Sequence, residues 1–203
     1  MTRLLLIGPP GSGKGTQAAR LAQSYGVPAI STGDIFRANV RNGTELGLLA
    51  KAYMDSGEYV PDSLTNDIVR ARLSKPDAAH GFLLDGYPRT TDQVLELDNL
   101  LTAKNARLNA VIQLVADTEA VVARILKRAA AQGRSDDSEE VIRHRLDLYA
   151  SQTAPLLEVY RSRGLVVEID AIGEVDEVTQ RIMTSLAEGD LTCTGDGDDE
   201  SVA

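Results

Sequence analysis

The segment GPPGSGKGTQ, residues 8–17, sets four glycines and one lysine directly after the apolar run RLLLI. Gly8, Gly11, Gly13 and Gly15 leave bare backbone where a Cβ would block a close approach. Successive N–H groups of such a loop turn inward onto an anion, helped by the N-terminus of the helix that follows. The spacing Gly8-x4-Gly13-Lys14 is that of a P-loop, in which the lysine reaches the terminal phosphates of a nucleoside triphosphate. The strict pattern puts a hydroxyl residue right after the lysine; here Gly15 intervenes and the hydroxyl belongs to Thr16.

A second constellation is Asp85-Gly86-Tyr87-Pro88-Arg89-Thr90. Its carboxylate suits Mg2+ held through water, because magnesium keeps much of its hydration. Its arginine suits a forked contact to phosphate. A third group of bases, Arg124, Lys127, Arg128, Arg134, Arg143 and Arg145, surrounds a polar gap. Arg124, Lys127 and Arg143 read as solvated helix charges. Arg128 and Arg134 flank the gap and Arg145 follows it, as in a mobile flap that brings cations onto phosphates.

These residues need a scaffold, and the hydrophobic pattern supplies one. Apolar runs at 3–7, 27–31, 81–85, 109–115 and 164–170 read as strands. Helical patterns lie between them: 16–26, 33–42, 44–56, a helix opening at Pro61-Asp62, one capped by Thr90 with Gln93 at capping-box spacing, one from Asp117 to about 130, a long one over 138–163, and a last one over 174–187. Strands that are apolar without alternation, separated by helices, predict a parallel sheet covered on both faces, an α/β fold. Ligands of such folds sit at the carboxyl ends of the strands. GPPGSGKGT, STGD and DGYPR each follow a strand, so the three are expected to converge on one cleft.

The chain of 203 residues is 43% hydrophobic and 25% charged, enough for one domain. Its net charge of −9 argues against a general nucleic-acid binder. Residues 188–203 hold six acidic residues and no base, so that stretch carries −6 and reads as a disordered tail. The single cysteine, Cys193, excludes an internal disulfide. His80 and His144 lack metal-ligand spacing. No signal peptide or membrane span is legible, and the expected location is the cytoplasm.

Taken together, GPPGSGKGTQ (8–17), STGDIFR (31–37), GEYVP (57–61), LDGYPRTTDQ (84–93) and GRSDDSEEVIRHR (133–145) make the sequence resemble the adenylate kinases closely, over residues 1 to about 187. The resemblance implies a P-loop three-layer α/β/α fold with a five-stranded parallel sheet, a helical AMP-binding insertion (31–60) and a short lid (128–138). It implies reversible transfer of a phosphoryl group from Mg-ATP to AMP, giving two ADP, by a monomer engaging neither membrane nor nucleic acid. Gly11, Ser12, Gly13, Lys14, Gly15 and Thr16 would hold the ATP phosphates, with Arg128, and Gly173 would lie by the ATP base. Thr32, Arg37, Glu58, Tyr59, Val60, Gly86, Tyr87, Pro88, Arg89 and Gln93 would form the AMP site, with Arg134 and Arg145 on the phosphates. Lys14, Arg89, Arg128, Arg134 and Arg145 would be the catalytic cations, Asp85 the Mg2+ ligand through water, and Asp136 and Asp137 would order the arginines. Tyr59 and Tyr87 stand where the family often has leucine and phenylalanine. Only five residues, AAAQG, separate Arg128 from Arg134, so the extra lid domain of long forms is absent, and a structural zinc with it. A UMP/CMP kinase is the nearest rival; Thr32 and Thr90, where pyrimidine-specific relatives usually carry alanine and asparagine, favour AMP. A nucleotide-regulated switch is disfavoured because it needs no acceptor site.

Overall fold

Five strands form one all-parallel sheet: β1 (Thr2–Ile7), β2 (Ala29–Ser31), β3 (Gly81–Asp85), β4 (Ala110–Val115) and β5 (Val166–Asp170), in spatial order β2-β3-β1-β4-β5. The computed structural model describes residues 1–117, 119, 121–126 and 138–189. β1 lies at the centre, with Leu4 in register with Leu83 on one side and Ala110 on the other. Its core residues alternate between two helical layers, as the pleat requires. Leu4 and Leu6 join Leu83, Ile112 and Leu114 under α1 (Lys14–Tyr25) and α9 (Val175–Glu188), whereas Leu5 and Ile7 join Phe82, Leu84 and Val111 under α4 (Asp62–Leu73), α5 (Thr91–Thr102) and α8 (Leu156–Ser162). This is the three-layer α/β/α arrangement the apolar, non-alternating strands predicted.

The connection leaving β1 runs toward β2, while that leaving β4 runs to β5 on the opposite side. The carboxyl ends of β1 and β4 therefore border a crevice. Two helices, α2 (Thr32–Arg41) and α3 (Glu45–Ser56), fill the excursion between β2 and α4. They carry a small core of their own, Phe36, Ala50 and Val60 with Leu46, Met54, Leu64 and Ile68. Ser31 and Thr44 cap the two helices by accepting from Asp34 N and Gly47 N. On the other rim, residues 121–126 form α6, whose Val121, Val122 and Ile125 pack on Ile142 of α7 (Glu139–Leu148).

Two local expectations are corrected. The sequence reads as one long helix over 138–163, but α7 stops at Leu148, residues Tyr149–Thr153 form a π-turn, and α8 restarts at Leu156. Pro155 is the cause: it has no N–H to donate and its ring crowds the preceding turn. The widened turn closes through Ala154 N donating to Tyr149 O at 2.8 Å. The Thr90–Gln93 pair makes only half a capping box. Thr90 Oγ1 accepts from Gln93 N, but the Gln93 side chain accepts from Arg89 N instead of Thr90 N. The last helix reaches Glu188, and residues 190–203, Cys193 included, lie outside the described residues.

Ile112, fully buried in the middle of β4, is a direct measure of this core. Ile112→Ala is expected to lower the unfolding free energy by about 2–5 kcal/mol in urea titration, with the denaturant slope unchanged.

Candidate active site

The loop between β1 and α1 takes its shape from backbone that no side chain could share. Gly11 has φ +81°, and a Cβ there would stand 2.5 Å from Ile125 Cγ1 of α6. Gly13, also left-handed at φ 93°, serves as the N-cap of α1, so the unpaired amides of the first helical turn face the loop's concavity. Lys14 folds back over the loop, with Nζ donating to Gly8 O at 2.7 Å and Pro9 O at 2.8 Å. Ser12 Oγ is buried and has no hydrogen-bond partner among the described residues. A ring of donors with an orphaned hydroxyl is built to receive an oxyanion.

The end of β3 supplies the second wall. Gly86 O accepts from both Thr32 Oγ1 (2.9 Å) and Arg89 Nε (2.8 Å), tying the start of α2 to the DGYPR turn. Gly86 has φ +79°, and a Cβ there would press within 2.9 Å of Thr32 Oγ1 and an Arg89 nitrogen. The Tyr87–Pro88 peptide is cis. Gln93 holds Arg89 N with Oε1 (2.8 Å) while Nε2 donates to Asp62 Oδ1 (2.6 Å), which leaves one lone pair and one N–H of the amide for a ligand. Thr90 Oγ1 also donates to Asp62.

The three predicted segments do converge. They line a cleft of about 460 Å³ that includes Gly11, Gly13, Lys14, Gly15, Thr16, Arg37, Asp85, Pro88, Arg89 and Arg145. A narrower cavity continues from it among Thr32, Phe36, Met54, Glu58, Val60, Thr65 and Gln93. Its apolar walls with a few polar groups suit a flat heteroaromatic ring. Gly33, Arg37, Tyr59, Gly86, Arg89 and Arg145 line both spaces, so three guanidinium groups stand at the junction. Lys14, Arg37, Arg89, Arg124 and Arg145 line the cleft against two carboxylates, Asp34 and Asp85. In a chain of net charge −9, the cleft is locally cationic.

Tyr87 lines the cleft with Gly86 and Pro88 and, at 1% exposed, is also part of the core; its hydroxyl donates to Asn66 Oδ1 at 2.8 Å, and burial raises its pKa. Gly173 lines neither cavity. It follows β5, two residues beyond Ala171, whose carbonyl accepts from Arg124 Nη1 at 3.2 Å. Arg124 itself, read from sequence as a solvated helix charge, faces the cleft because Val121, Val122 and Ile125 turn the other side of α6 into the core. That helical spacing was the available signal. His144 gains a partner, with Nε2 2.7 Å from Glu58 Oε1. Arg143 pairs with Glu139 on the surface, as a solvated charge. Lys127, Arg128, Arg134, Asp136 and Asp137 lie outside the described residues, which resume at Ser138, the N-cap of α7. Thr153 was missed. It sits in the π-turn, buried in the cleft wall; Pro155, two residues on, was a local signal of a helix break but not of where the Thr153 hydroxyl would go.

Asp85 is 8% exposed at the end of β3, and no described residue hydrogen-bonds its side chain. Burial pushes its pKa above the ordinary carboxylate value, and nearby Lys14 and Arg89 oppose that without cancelling it. Its Oδ2 faces the space above Gly15. A buried carboxylate beside a polar cleft fits a hydrated divalent cation, which needs only one or two protein carboxylates. No helix of the described residues is long and apolar enough to cross a membrane.

A parallel five-stranded sheet whose first strand feeds a glycine loop, with arginines gathered above the strand ends, is the P-loop α/β fold of nucleotide-dependent kinases. The family model described as Adenylate kinase matches residues 6–165. The chain is 62% identical to an adenylate kinase of Leifsonia xyli subsp. xyli over 201 residues, 98% of this chain and all of that one. It is 60% identical to one of Clavibacter michiganensis subsp. michiganensis, covering 92% and 94% of the two chains, and 55% identical to one of Thermobifida fusca, covering 91% and 97%. The chain belongs to the adenylate kinase family.

The burial of Asp85 makes a prediction about stability. A carboxylate whose folded pKa is raised favours the folded state below its unfolded value, and that contribution is lost as pH rises through the folded pKa. Asp85→Asn is therefore expected to melt above the wild type at neutral pH without added metal. The difference should shrink as pH falls and vanish below about 3.8, the ordinary aspartate value. Parallel thermal melts from neutral to acid pH measure this; a pH-independent gap would exclude the charge as its cause.

Proposed function

We propose that this chain catalyses Mg-ATP + AMP ⇌ 2 ADP, within the phosphoryl transfer between adenine nucleotides that marks its family. The observation that carries the reading is the junction: two contiguous spaces meet at Arg37, Arg89 and Arg145. One space opens on the P-loop, and the other has apolar walls. A hydrolase or a single-nucleotide switch needs no second base cavity behind its phosphate cations.

In this reading Gly11, Ser12, Gly13, Gly15 and Thr16 cradle the donor triphosphate. Lys14 exchanges its loop carbonyls for the transferring phosphoryl oxygens. Thr32, Arg37, the segment Glu58–Val60, Gly86, Pro88 and Gln93 seat AMP, with Tyr87 acting from the core to fix the turn. Arg124, beside the Ala171–Gly173 loop, faces the donor side. Arg128 and Arg134, outside the described residues, are assigned to the phosphates with Arg145. Asp85 would hold Mg2+ through water, and the ion would supply charge neutralisation to the donor phosphates. An oxygen of the AMP phosphate attacks the γ-phosphorus as the bond to the β–γ bridging oxygen breaks, and ADP leaves on each side. That phosphate is already anionic near neutral pH, so no general base is needed. The barrier is repulsion between polyanions, and positioned guanidinium groups lower it by neutralising charge and aligning the two ends.

Water is the competing acceptor. Closure of the 31–60 insertion and the 128–138 segment around both nucleotides would exclude it. The role consistent with this chemistry is adenine-nucleotide homeostasis by a monomeric cytoplasmic enzyme.

Incubation with ADP alone is the direct test: ATP and AMP should appear in equal amounts with Mg2+ and not without it. Across acceptors, AMP should be preferred to CMP, UMP and GMP; preference for CMP would overturn the assignment. Arg89→Ala is expected to lower kcat by at least about 100-fold with melting temperature within a few degrees of wild type, and Arg89→Lys not to restore it, because a lysine cannot reproduce the forked contact. Unchanged turnover would remove Arg89 from the mechanism.

A further inference from the structure

Arg89 is held at more points than a surface arginine requires. Its N–H is taken by Gln93 Oε1 and its Nε–H by Gly86 O, both at 2.8 Å. Its carbonyl accepts from Thr153 Oγ1 at 3.0 Å. The guanidinium carbon lies 5.0 Å from the centre of the Tyr59 ring, within cation–π range. The Tyr59 hydroxyl and Thr153 Oγ1 are 2.9 Å apart. A carbonyl can only accept, so the one Thr153 proton goes to Arg89 O, and the Tyr59 O–H must donate to Thr153. The hydrogen-bond chain thus has one direction, from Tyr59 through Thr153 to the Arg89 carbonyl. The Tyr59 ring closes the circuit over the guanidinium of the same arginine.

The circuit joins three segments far apart in the chain. Tyr59 lies on the connection between α3 and α4, Arg89 in the turn after β3, and Thr153 in the π-turn created by Pro155. A continuous α-helix through 149–153 would turn Thr153 to another bearing, since the i→i+5 turn holds one more residue than the α turn. The irregular turn therefore serves to bring a hydroxyl to the Arg89 carbonyl.

We propose that Tyr59 and Thr153 are positioning residues for Arg89, and that docking of the Tyr59 segment on the π-turn is what aims the Arg89 guanidinium at the transferring phosphate. The inference rests on the phosphoryl-transfer reading above. Neither hydroxyl touches the reacting atoms. Their effect is exerted through Arg89, so it belongs in turnover and acceptor use, with the donor side spared.

The test uses the full chain carrying Tyr59→Phe, Thr153→Val, Thr153→Ser, and the Tyr59→Phe/Thr153→Val pair. Steady-state kinetics with ATP and AMP are combined with NMR of the Arg89 Nε–H, assigned by comparison with Arg89→Lys and needing no substrate. Tyr59→Phe and Thr153→Val should each lower kcat/KM for AMP about 10-fold while KM for ATP stays within about twofold. The double variant should be no worse than about twofold below the poorer single variant, since both break one chain. Thr153→Ser, which keeps the hydroxyl, should recover to within about threefold of wild type. Hydrogen exchange at Arg89 Nε should quicken in Thr153→Val and stay slow in Thr153→Ser. Should Thr153→Val fail to fold, Tyr59→Phe and Thr153→Ser carry the test. Fully additive losses, an equal rise in KM for ATP, or single variants that match the wild type in both kinetics and exchange would overturn the proposal. A wild type without turnover on any nucleoside monophosphate would instead overturn the functional reading, and this inference with it.

Discussion

The constraint on which the rest of the molecule depends is the gathering of positive charge over the carboxyl ends of β1 and β3. Lys14, Arg37, Arg89, Arg124 and Arg145 come from five different segments and share one cleft. Like charges do not converge unless a scaffold forces them to. Here the force is hydrophobic: the strands are held by side chains alternating between two helical layers, and each cation is anchored by its own stem or neighbours. Lys14 is held by loop carbonyls and Arg37 by Asp34, and Arg89 is held at both ends of its own peptide. A polyanion satisfies this arrangement better than water does.

The same scaffold explains why the cleft has two compartments. The α2–α3 excursion carries its own small core around Phe36, Ala50 and Val60, separate from the two large clusters that cover the sheet. Leu64 and Ile68 of α4 share its core and Ile35 packs on the main one, while its polar contacts across the cleft are few: Thr32 to Gly86, Glu58 to His144, and Tyr59 to Thr153. Those bonds are exchangeable with solvent at modest net free energy, on the order of 1 kcal/mol each. The apolar cores fix the parts, and these polar links set how the parts meet.

Asp85 shows the cost of such a site. A buried carboxylate at a strand end destabilises the folded protein at neutral pH, and Lys14 and Arg89 relieve this incompletely. Ser12 Oγ is likewise buried without a described partner. Polar groups left unsatisfied by the protein itself concentrate where a ligand is to complete them. The rest of the described interior is mostly apolar or paired, with Tyr160 as the other buried hydroxyl lacking a partner.

Much of this was legible in the residues. The five runs became the five strands; the three central ones, β1, β3 and β4, are largely buried on both faces, and such a strand needs no long-range information to be apolar. Gly26 ended α1 and Thr90 capped α5, both local effects of backbone and side-chain chemistry. The P-loop, STGD and DGYPR segments could be placed at strand ends for the same reason. What the sequence did not determine was which residues meet across distance. Arg124 looked like any helix charge until packing of Val121 and Ile125 fixed which way α6 faces. Gln93 suggested a reciprocal cap until Asp62 and Arg89 took its amide. Thr153 reached the cleft only because Pro155 widened the preceding turn and the sheet brought Arg89 alongside. Local propensity is written in neighbours along the chain, whereas these contacts join residues tens of positions apart, and only the packed layers decide them.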